Sequence, residues 1–158
     1  MFLLLVGAPL FAVDIVPSKQ AKLILSILKH TKIGGRTLRI LVARSDSSHS
    51  KNLIRHLRKT RVLRISDQNL TLEVLPLKGS DPSNGDVVIL MEADQDVIPG
   101  VFCMAFEKLH VDKGATLGIL TEKDRIVFYL NPESARKVGV KFQMGLVRLA
   151  RLKGGQGL

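Results

Sequence analysis

The sequence predicts a single α/β domain in which a mostly parallel sheet is flanked by helices and followed by a C-terminal hairpin and two terminal helices. Segments with a helical repeat of apolar residues alternate along the chain with short, β-branched apolar runs. One such run, residues 87–91, is apolar on every face, which is typical of a central strand covered on both sides. With 158 residues and 46% hydrophobic content, the chain is long enough for one core and too short for two.

The first half of the chain predicts two helices and two strands. Ser18 is a candidate N-cap for a helix that runs to about His30, with one stripe of apolar residues made by Ala21, Ile24, Leu25 and Leu28. Gly34 and Gly35 end this segment, and residues 37–43 predict a strand. The polar run 45–48 then caps a second helix whose apolar face holds Leu53, Ile54 and Leu57. Residues 71–75 predict the next strand, which Pro76 closes.

The second half of the chain contains one ambiguous segment and one clear hairpin. Residues 81–85 predict a turn before the apolar strand 87–91. In residues 99–109 the period fits either a helix or a buried strand over 101–106, and proline at the first helical position favours the helix. Residues 115–120 and 125–130 predict two strands joined by the turn 121–124.

The end of the chain has the clearest local signals. Asn131 is a candidate N-cap for a helix that has Pro132 at its first position and Gly139 just past its end. Phe142, Leu146 and Leu149 then line one face of a last helix, which Gly154 and Gly155 stop. Residues 154–158 are expected to form a flexible tail.

The net charge of +10 is distributed unevenly along the chain. Residues 18–64 hold thirteen Lys and Arg against one acid, Asp46, whereas residues 65–112 hold nine acids against two lysines. A highly charged solvated surface is the ordinary explanation, and contact with an anionic partner or membrane surface is the functional one. The exposed positions that would make such contacts are Lys22, Lys29, Arg55 and Arg58. The composition argues against nucleic acid as a partner, because the aromatic platforms of single-strand binding are absent from a chain with one tyrosine and no tryptophan.

The N-terminal residues 1–12 predict the remnant of an export signal. Their apolar run has the length of a signal-peptide core and falls short of the ~20 residues that a membrane span needs. The basic residues that usually precede such a core are missing, and a first buried strand is the alternative. With export, the mature protein is a single domain over residues 13–153, located in the periplasm.

The chain lacks the motifs of the common enzyme classes. No phosphate-binding glycine pattern occurs, because Gly34 and Gly35 precede a strand instead of opening a helix. The cluster of Ser45, Ser47, Ser48 and His49 is what a helix start requires, and no nucleophile-elbow pattern surrounds it. Cys103 lies in an apolar run, which predicts a buried and inert thiol, and no metal-ligand spacing is present. We therefore expect a protein that is not an enzyme and holds no cofactor or metal.

The closing third carries a resemblance to a known family. A strand that ends in asparagine, a small-residue helix with Ala-Arg and a following glycine, and a leucine-rich helix ending in Leu-Ala-Arg resemble the end of the YfiR family, periplasmic proteins that restrain a membrane-bound diguanylate cyclase. The matching residues are Asn131, Ala135, Arg136, Gly139, Leu146, Leu149, Ala150 and Arg151. Many members carry two cysteine pairs where this chain has Cys103 alone, and Thr116 and Gly118 replace residues usual in the family.

Two hypotheses follow for the function. The resemblance implies a non-enzymatic periplasmic regulator that binds the periplasmic part of an inner-membrane diguanylate cyclase and lowers cyclic di-GMP, with a homodimer as an open alternative for its assembly. Charge alone implies instead a basic α/β module that binds an anionic ligand or nucleic acid. On either hypothesis, the residues Asn131, Ala135, Arg136, Gly139, Leu146, Leu149 and Arg151 are read first as a structural signature that holds the hairpin to the last helices.

Overall fold

The structure, a computed structural model, describes residues 15–43, 47–83, 86–92 and 94–153. The predicted signal segment 1–12 and the predicted tail 154–158 lie outside these residues. Within the described ranges, no helix is both long and apolar enough to cross a membrane.

Five helices and ten strands follow one another in the described chain. The helices are α1 (Pro17–Lys29), α2 (Ser48–Leu57), α3 (Lys108–Asp112), α4 (Pro132–Val138) and α5 (Met144–Leu149). The strands are β1 (Thr31–Lys32), β2 (Thr37–Val42), β3 (Val62–Ile65), β4 (Gln68–Pro76), β5 (Val87–Leu90), β6 (Phe102–Ala105), β7 (Leu117–Glu122), β8 (Arg125–Leu130), β9 (Lys141–Phe142) and β10 (Ala150–Leu152).

Eight of these strands form one mostly parallel sheet in the order β10-β8-β7-β6-β5-β2-β4-β3. The five strands from β4 to β7 are parallel, β3 and β8 flank them in antiparallel pairings, and β10 runs parallel to β8 at the edge. Strands β1 and β9 pair separately as a small antiparallel ribbon. The predicted α/β class, with a mostly parallel sheet flanked by helices, is confirmed.

The two faces of the sheet carry two separate cores. On one face, α1 and α2 bury Ile24, Leu28, Leu53 and Leu57 against the strands in the main cluster. On the other face, loops around Leu77 and residues 97–98 cover a smaller cluster that the alternate residues of β2, β5 and β6 supply. Strands β5 and β6 are buried at every position, because they contribute to both clusters.

The helix favoured for residues 99–109 is wrong. Pro99 and Gly100 form a turn in which Gly100 has φ 75°, residues Phe102–Ala105 form β6, and only Lys108–Asp112 are helical. Phe102 and Met104 enter the main cluster while Cys103 and Ala105 enter the smaller one. A strand covered on both faces has no alternation of its own, so its period could not be distinguished from a helical one.

The second terminal helix is shorter than the sequence predicts. α5 ends at Leu149, and Ala150–Leu152 continue as β10 beside β8. Phe142 lies in β9 and not on the helix. Strand β3, an edge strand, and the β1–β9 ribbon were also not predicted, because their pairing partners are distant or their runs are short.

Local signals nevertheless place several element ends where the sequence predicts them. The side chain of Asn131 accepts a hydrogen bond from the Ser134 amide at 3.0 Å, and Gly139 ends α4 with φ 73°, in the left-handed conformation that favours glycine. The hairpin of β7 and β8 turns on Lys123 and Asp124, both with positive φ. Ser47 caps α2, whereas α1 begins at Pro17 after Val16 and not after a Ser18 cap.

Gly118 offers a test of how α3 is packed against the sheet. A Cβ at this position would lie 2.2 Å from Cγ2 of Val111, so Gly118→Ala forces α3 away from β7. We expect a loss of about 1–3 kcal/mol in the free energy of unfolding, measured by chemical denaturation. The matched control is Gly145→Ala in α5, where no atom lies within 4 Å of the new Cβ and no loss is expected. Equal stability of the two variants would contradict this packing, whereas adding Val111→Ala to Gly118→Ala should restore part of the loss.

Candidate functional site

A cleft of about 470 Å³ lies at the carboxyl ends of the parallel strands β5, β6 and β7. The chain places β4 on one side of β2 and then β5, β6 and β7 on the other side. In open α/β sheets with such a reversal of strand order, ligands bind at the carboxyl ends of the strands. The lining residues come from the start of α1, the start of α2 and the strand ends: Ile15, Gln20, His49, Ser50, Met91, Glu92, Phe106, Glu107, Lys108, Ile119, Leu120, Thr121 and Glu122. The lining combines apolar side chains with polar and charged ones, and the polar Gln20 and Ser50 are among its buried members.

The wall of the cleft formed by α1 and α2 is fixed by polar contacts. Gln20 is buried, and its Oε1 lies 2.8 Å from Nε2 of His49. The hydroxyl of Ser50, also buried, donates to the carbonyl of Ala43 at the end of β2 at 3.2 Å. The side chain of Ser47 accepts from the Ser50 amide at 3.1 Å. These bonds hold the starts of both helices beside the sheet, so the wall is preformed.

Glu122 at the rim of the cleft belongs to a small charged network on the terminal hairpin and β10, on the sheet face opposite to Phe128. The Tyr129 hydroxyl donates to Oε1 of Glu122 at 2.5 Å, and Arg151 donates to Oε2 of Glu122 at 2.8 Å. The guanidinium of Arg151 lies 5.7 Å from the centre of the Tyr129 ring. The Tyr129 hydrogen bond first, and Arg151 second, lower the pKa of Glu122. The network ties β10 to the hairpin and keeps the Glu122 carboxylate charged.

The apolar face of β7 beside the cleft continues onto β8 and β10 at the outer edge of the sheet. Paired residues on neighbouring strands share a face, and the register places Phe128 opposite Ile119 and Ala150 opposite Phe128. One step along the strands, Ile126 lies opposite Thr121. Phe128 and Ala150 are partly buried and pack against the main core. One apolar face of the sheet therefore runs from Ile119 at the cleft over Phe128 to Ala150 on β10.

An ion pair lies at the opposite end of the parallel strands. Asp86, just before β5, accepts from Nε and Nη2 of Arg39 at 2.9 and 2.6 Å and from the Ser83 amide at 2.9 Å. The Asp86 side chain is 7% exposed, and that of Arg39 is 32% exposed. Burial by itself raises the pKa of Asp86, but the hydrogen bonds from Arg39 and Ser83 outweigh it and hold the pKa below its usual value. The pair joins β2 to the chain entering β5.

The basic residues that the sequence singled out lie away from the cleft. Lys22 and Lys29 are exposed on α1, and Arg55 and Arg58 are exposed on α2. None of the four lines the cleft. Arg58 donates through Nε to the carbonyl of Val74 at 3.1 Å, so part of its role is to hold α2 on β4.

The residues of the closing signature divide into buried and exposed members. Ala135 and Leu146 are buried, Asn131 and Gly139 form the ends of α4, and Arg151 joins the Glu122 network. Arg136 is exposed and Leu149 is 72% exposed, which is more than structural packing requires. Sequence reasoning assigned all of them to structure and missed the cleft, since its lining comes from segments more than a hundred residues apart.

Cys103 and His110 are both buried, and Nδ1 of His110 and Nε2 of Gln95 have no hydrogen-bond partner among the described residues. Burial raises the pKa of the Cys103 thiol, and its sulfur donates to the Ile98 carbonyl at 3.7 Å. His110 is buried and its Nε2 lies 2.8 Å from the Gln95 carbonyl oxygen. In the described ranges, no three His, Cys, Asp or Glu side chains are grouped so that they could hold a metal ion.

Comparison with known proteins shows the fold alone. The sequence matches no protein-family model and no curated protein. Among solved structures, the chain is similar to a conserved domain protein from Vibrio cholerae O1 biovar El Tor, with a TM-score of 0.51 and 11% identity. The similarity covers 86% of this chain and 59% of that one, so the chain spans little more than half the length of its structural neighbour.

The Arg39–Asp86 pair generates a test by pH and mutation. Replacing Asp86 leaves Arg39 without its carboxylate, and we expect Asp86→Asn to lower the free energy of unfolding at neutral pH by about 2 kcal/mol. This is less than the roughly 3–5 kcal/mol of fully buried pairs, because Arg39 is 32% exposed. The pKa of Asp86 is lower in the folded chain than in the unfolded chain, where it is about 3.9. The charged carboxylate therefore stabilises the fold fully above the unfolded-state pKa, and this stabilisation is lost as the pH falls through the folded-state pKa.

Denaturation of the wild type and the variant between neutral and acid pH measures this difference. The two stabilities should converge as the pH falls below about 4. Glu107→Gln is the control, because Glu107 is exposed and forms no ion pair within the described residues. A constant difference at every pH would contradict the ionic origin of the stabilisation.

Proposed function

We propose that this chain is a non-enzymatic regulator, exported to the periplasm, that binds the periplasmic part of an inner-membrane diguanylate cyclase and holds it inactive. Two lines of support lie in the chain. The closing pattern from Asn131 to Arg151 resembles the YfiR family, and it folds here as a hairpin strand, a capped helix, a short helix and an edge strand. The α/β fold agrees with the fold that the resemblance implies.

The observation that carries a binding role is the exposed apolar surface at the terminal corner of the sheet. Four of the seven large apolar side chains that are exposed in the described structure belong to the closing segments β8, α5 and β10: Ile126, Met144, Leu149 and Leu152. Clustered exposed apolar side chains mark protein-binding surfaces, whereas single ones need no explanation. A regulator that works by binding needs such a surface and needs no reactive group.

The mechanism of such a regulator is a shift of population. A regulator that binds the inactive conformation of the cyclase more tightly than the active one lowers the production of cyclic di-GMP. The ratio of its affinities for the two conformations limits how far the equilibrium between them can shift. A ratio of about 100 between the two affinities corresponds to about 2.7 kcal/mol. Release of the regulator returns the cyclase to its own equilibrium.

Deletion of the gene tests this proposal in the bacterium that carries it. We expect the cellular level of cyclic di-GMP to rise, because the cyclase loses its inhibitor, and mass spectrometry of cell extracts measures the change. The full-length gene should restore the low level, whereas a version lacking residues 1–12 should fail to restore it, since the product is not exported. An unchanged level after deletion, or a native protein found in the cytosol, would contradict the proposal.

A second candidate function rests on the basic surface of α1 and α2. Lys22, Lys29 and Arg55 are exposed and form no ion pair with any described residue. Such a surface supports binding to an anionic ligand or a nucleic acid.

Salt titration separates the two candidates. For the regulator, we expect binding to a single-stranded oligonucleotide to be weak and to disappear at about 0.2 M salt. Lys22→Glu combined with Arg55→Glu should remove this residual binding and leave the control of cyclic di-GMP unchanged. Oligonucleotide binding that persists at higher salt, together with unchanged cyclic di-GMP after gene deletion, would favour the basic module instead.

A further inference from the structure

Strand β3 leaves one edge of the eight-stranded sheet open. It is the last strand in the sheet order and, among the described strands, it pairs with β4 alone. In an antiparallel pair, successive residues direct their N–H and C=O groups alternately toward the partner strand and away from it. The Leu72 amide donates to the Arg61 carbonyl at 2.8 Å, so the backbone groups of Arg61 and of every second residue after it face β4. Val62 and Arg64 therefore direct their backbone groups to the open edge.

A second hydrogen bond confirms this alternation. Thr71 lies opposite Val62 in the register, and its N–H donates at 3.0 Å to the carbonyl of Arg36, on the side of β2 and away from β3. No described residue bonds to the N–H or C=O groups of Val62 and Arg64. The open edge thus presents two donors and two acceptors in extended geometry, with the two residues about 7 Å apart along the strand.

The side chains of β3 alternate between a buried face and an exposed face. Leu63 and Ile65 are buried in the main cluster, whereas Val62 is 55% exposed and Arg64 is exposed. The register places the neutral Asn69 opposite Arg64, and Arg64 forms no ion pair with any described residue. A strand added at this edge would lie beside one apolar and one cationic side chain on the same face of the sheet.

The charges around β3 favour an acidic partner. Residues 58–67 hold four cations against one acid, Asp67. The next acid along the chain, Glu73 on β4, lies opposite Arg39 on β2, on the side of β4 away from β3. A second copy of β3 would bring the same cations to the edge, and like charges on paired strands are destabilising. The edge therefore disfavours pairing with itself and favours a segment of opposite charge.

We propose that β3 binds an extended acidic segment of a protein partner, which adds a further strand to the sheet. The backbone of that segment pairs with the N–H and C=O groups of Val62 and Arg64. Its side chains place a carboxylate beside Arg64 and an apolar group beside Val62. In recognition by strand addition, main-chain hydrogen bonds supply affinity and alternate side chains supply specificity. The site lies at the opposite edge of the sheet from β10, so it goes beyond the proposed function and does not require the partner to be a cyclase.

Two peptides of about seven residues test the edge directly. One is acetyl-Thr-Glu-Val-Thr-Glu-Val-Thr-amide, and the other has lysine in place of glutamate. In NMR titrations of the full chain at about 0.15 M salt, we expect the glutamate peptide to shift the amide resonances of Val62 and Arg64. It should bind at least about tenfold more tightly than the lysine peptide, a difference of about 1.4 kcal/mol. Equal affinity, a preference for the lysine peptide, or no binding of either would overturn the proposal.

Methylation of peptide nitrogens separates strand pairing from attraction between charges alone. Every second N–H of an added strand faces β3, so one glutamate peptide carries N-methyl groups at its odd positions and another at its even positions. We expect one of the two to lose affinity at least about tenfold and the other to retain it. Similar affinities of the two methylated peptides would overturn strand addition, since attraction between charges does not depend on which N–H groups are blocked.

Variants locate the binding on β3. Arg64→Glu should weaken binding of the glutamate peptide about tenfold or more and reverse the preference to the lysine peptide. Arg64 is exposed, so the fold should survive, and the melting temperature checks this. Arg148→Glu is the matched control, because it makes the same change of charge at an exposed position of α5, which contacts β10 at the opposite edge. An equal loss in Arg148→Glu would overturn the assignment.

A single-stranded oligonucleotide tests nucleic acid as the alternative occupant. At the same salt concentration, we expect it to leave the amide resonances of Val62 and Arg64 unshifted. A shift of these resonances by the oligonucleotide, without a shift by the glutamate peptide, would replace the acidic strand by nucleic acid. Absence of peptide binding with the deletion phenotype intact would overturn the edge and leave the regulator standing. Peptide binding without a deletion phenotype would do the reverse.

Discussion

The rest of the structure depends on the complete burial of the central strands. β5 and β6 are buried at every residue, and β2 is buried over its second half. Because both faces of these strands are apolar, each face requires a cover, and the chain supplies two different ones. The long helices α1 and α2 lie on one face, while loops and the short helix α3 lie on the other.

The elements that cover the sheet differ in length from one side of the sheet to the other. α1 and α2 pack on each other and contact the β3–β4 side of the sheet, so β6, β7 and β8 depend on the C-terminal segment for their cover. That segment is short: α5 has six residues, of which Leu146 is buried, and the chain then turns into the edge strand β10. Short elements consequently cover the main core over β6, β7 and β8, and the cleft lies at the carboxyl ends of β5, β6 and β7.

The two polar clusters stabilise opposite ends of this arrangement. Asp86 and Arg39 fix the start of β5 beside β2. A shifted register would leave the buried Asp86 carboxylate without its partner, which costs free energy. Glu122, Tyr129 and Arg151 fix β10 on the hairpin. Solvent screens these charges, so their contribution to the free energy of unfolding is small. The more buried ion pair therefore lies at the amino ends of the parallel strands, and the more exposed network lies on the terminal hairpin and β10.

The fold class and the element ends that depend on local chemistry follow from the amino-acid sequence. The cap at Asn131, the glycine at 139, the cap at Ser47 and the hairpin turn were predictable, because each depends on the conformational preferences of a few adjacent residues. Phe102–Ala105 form a strand and Ala150–Leu152 an edge strand because pairing with strands distant in the chain outweighs the local period. The cleft could not be predicted from the sequence either. Its lining residues, such as Gln20, His49, Phe106 and Thr121, are far apart in the chain. They become neighbours only when the strand order brings the carboxyl ends of β5, β6 and β7 beside the starts of α1 and α2.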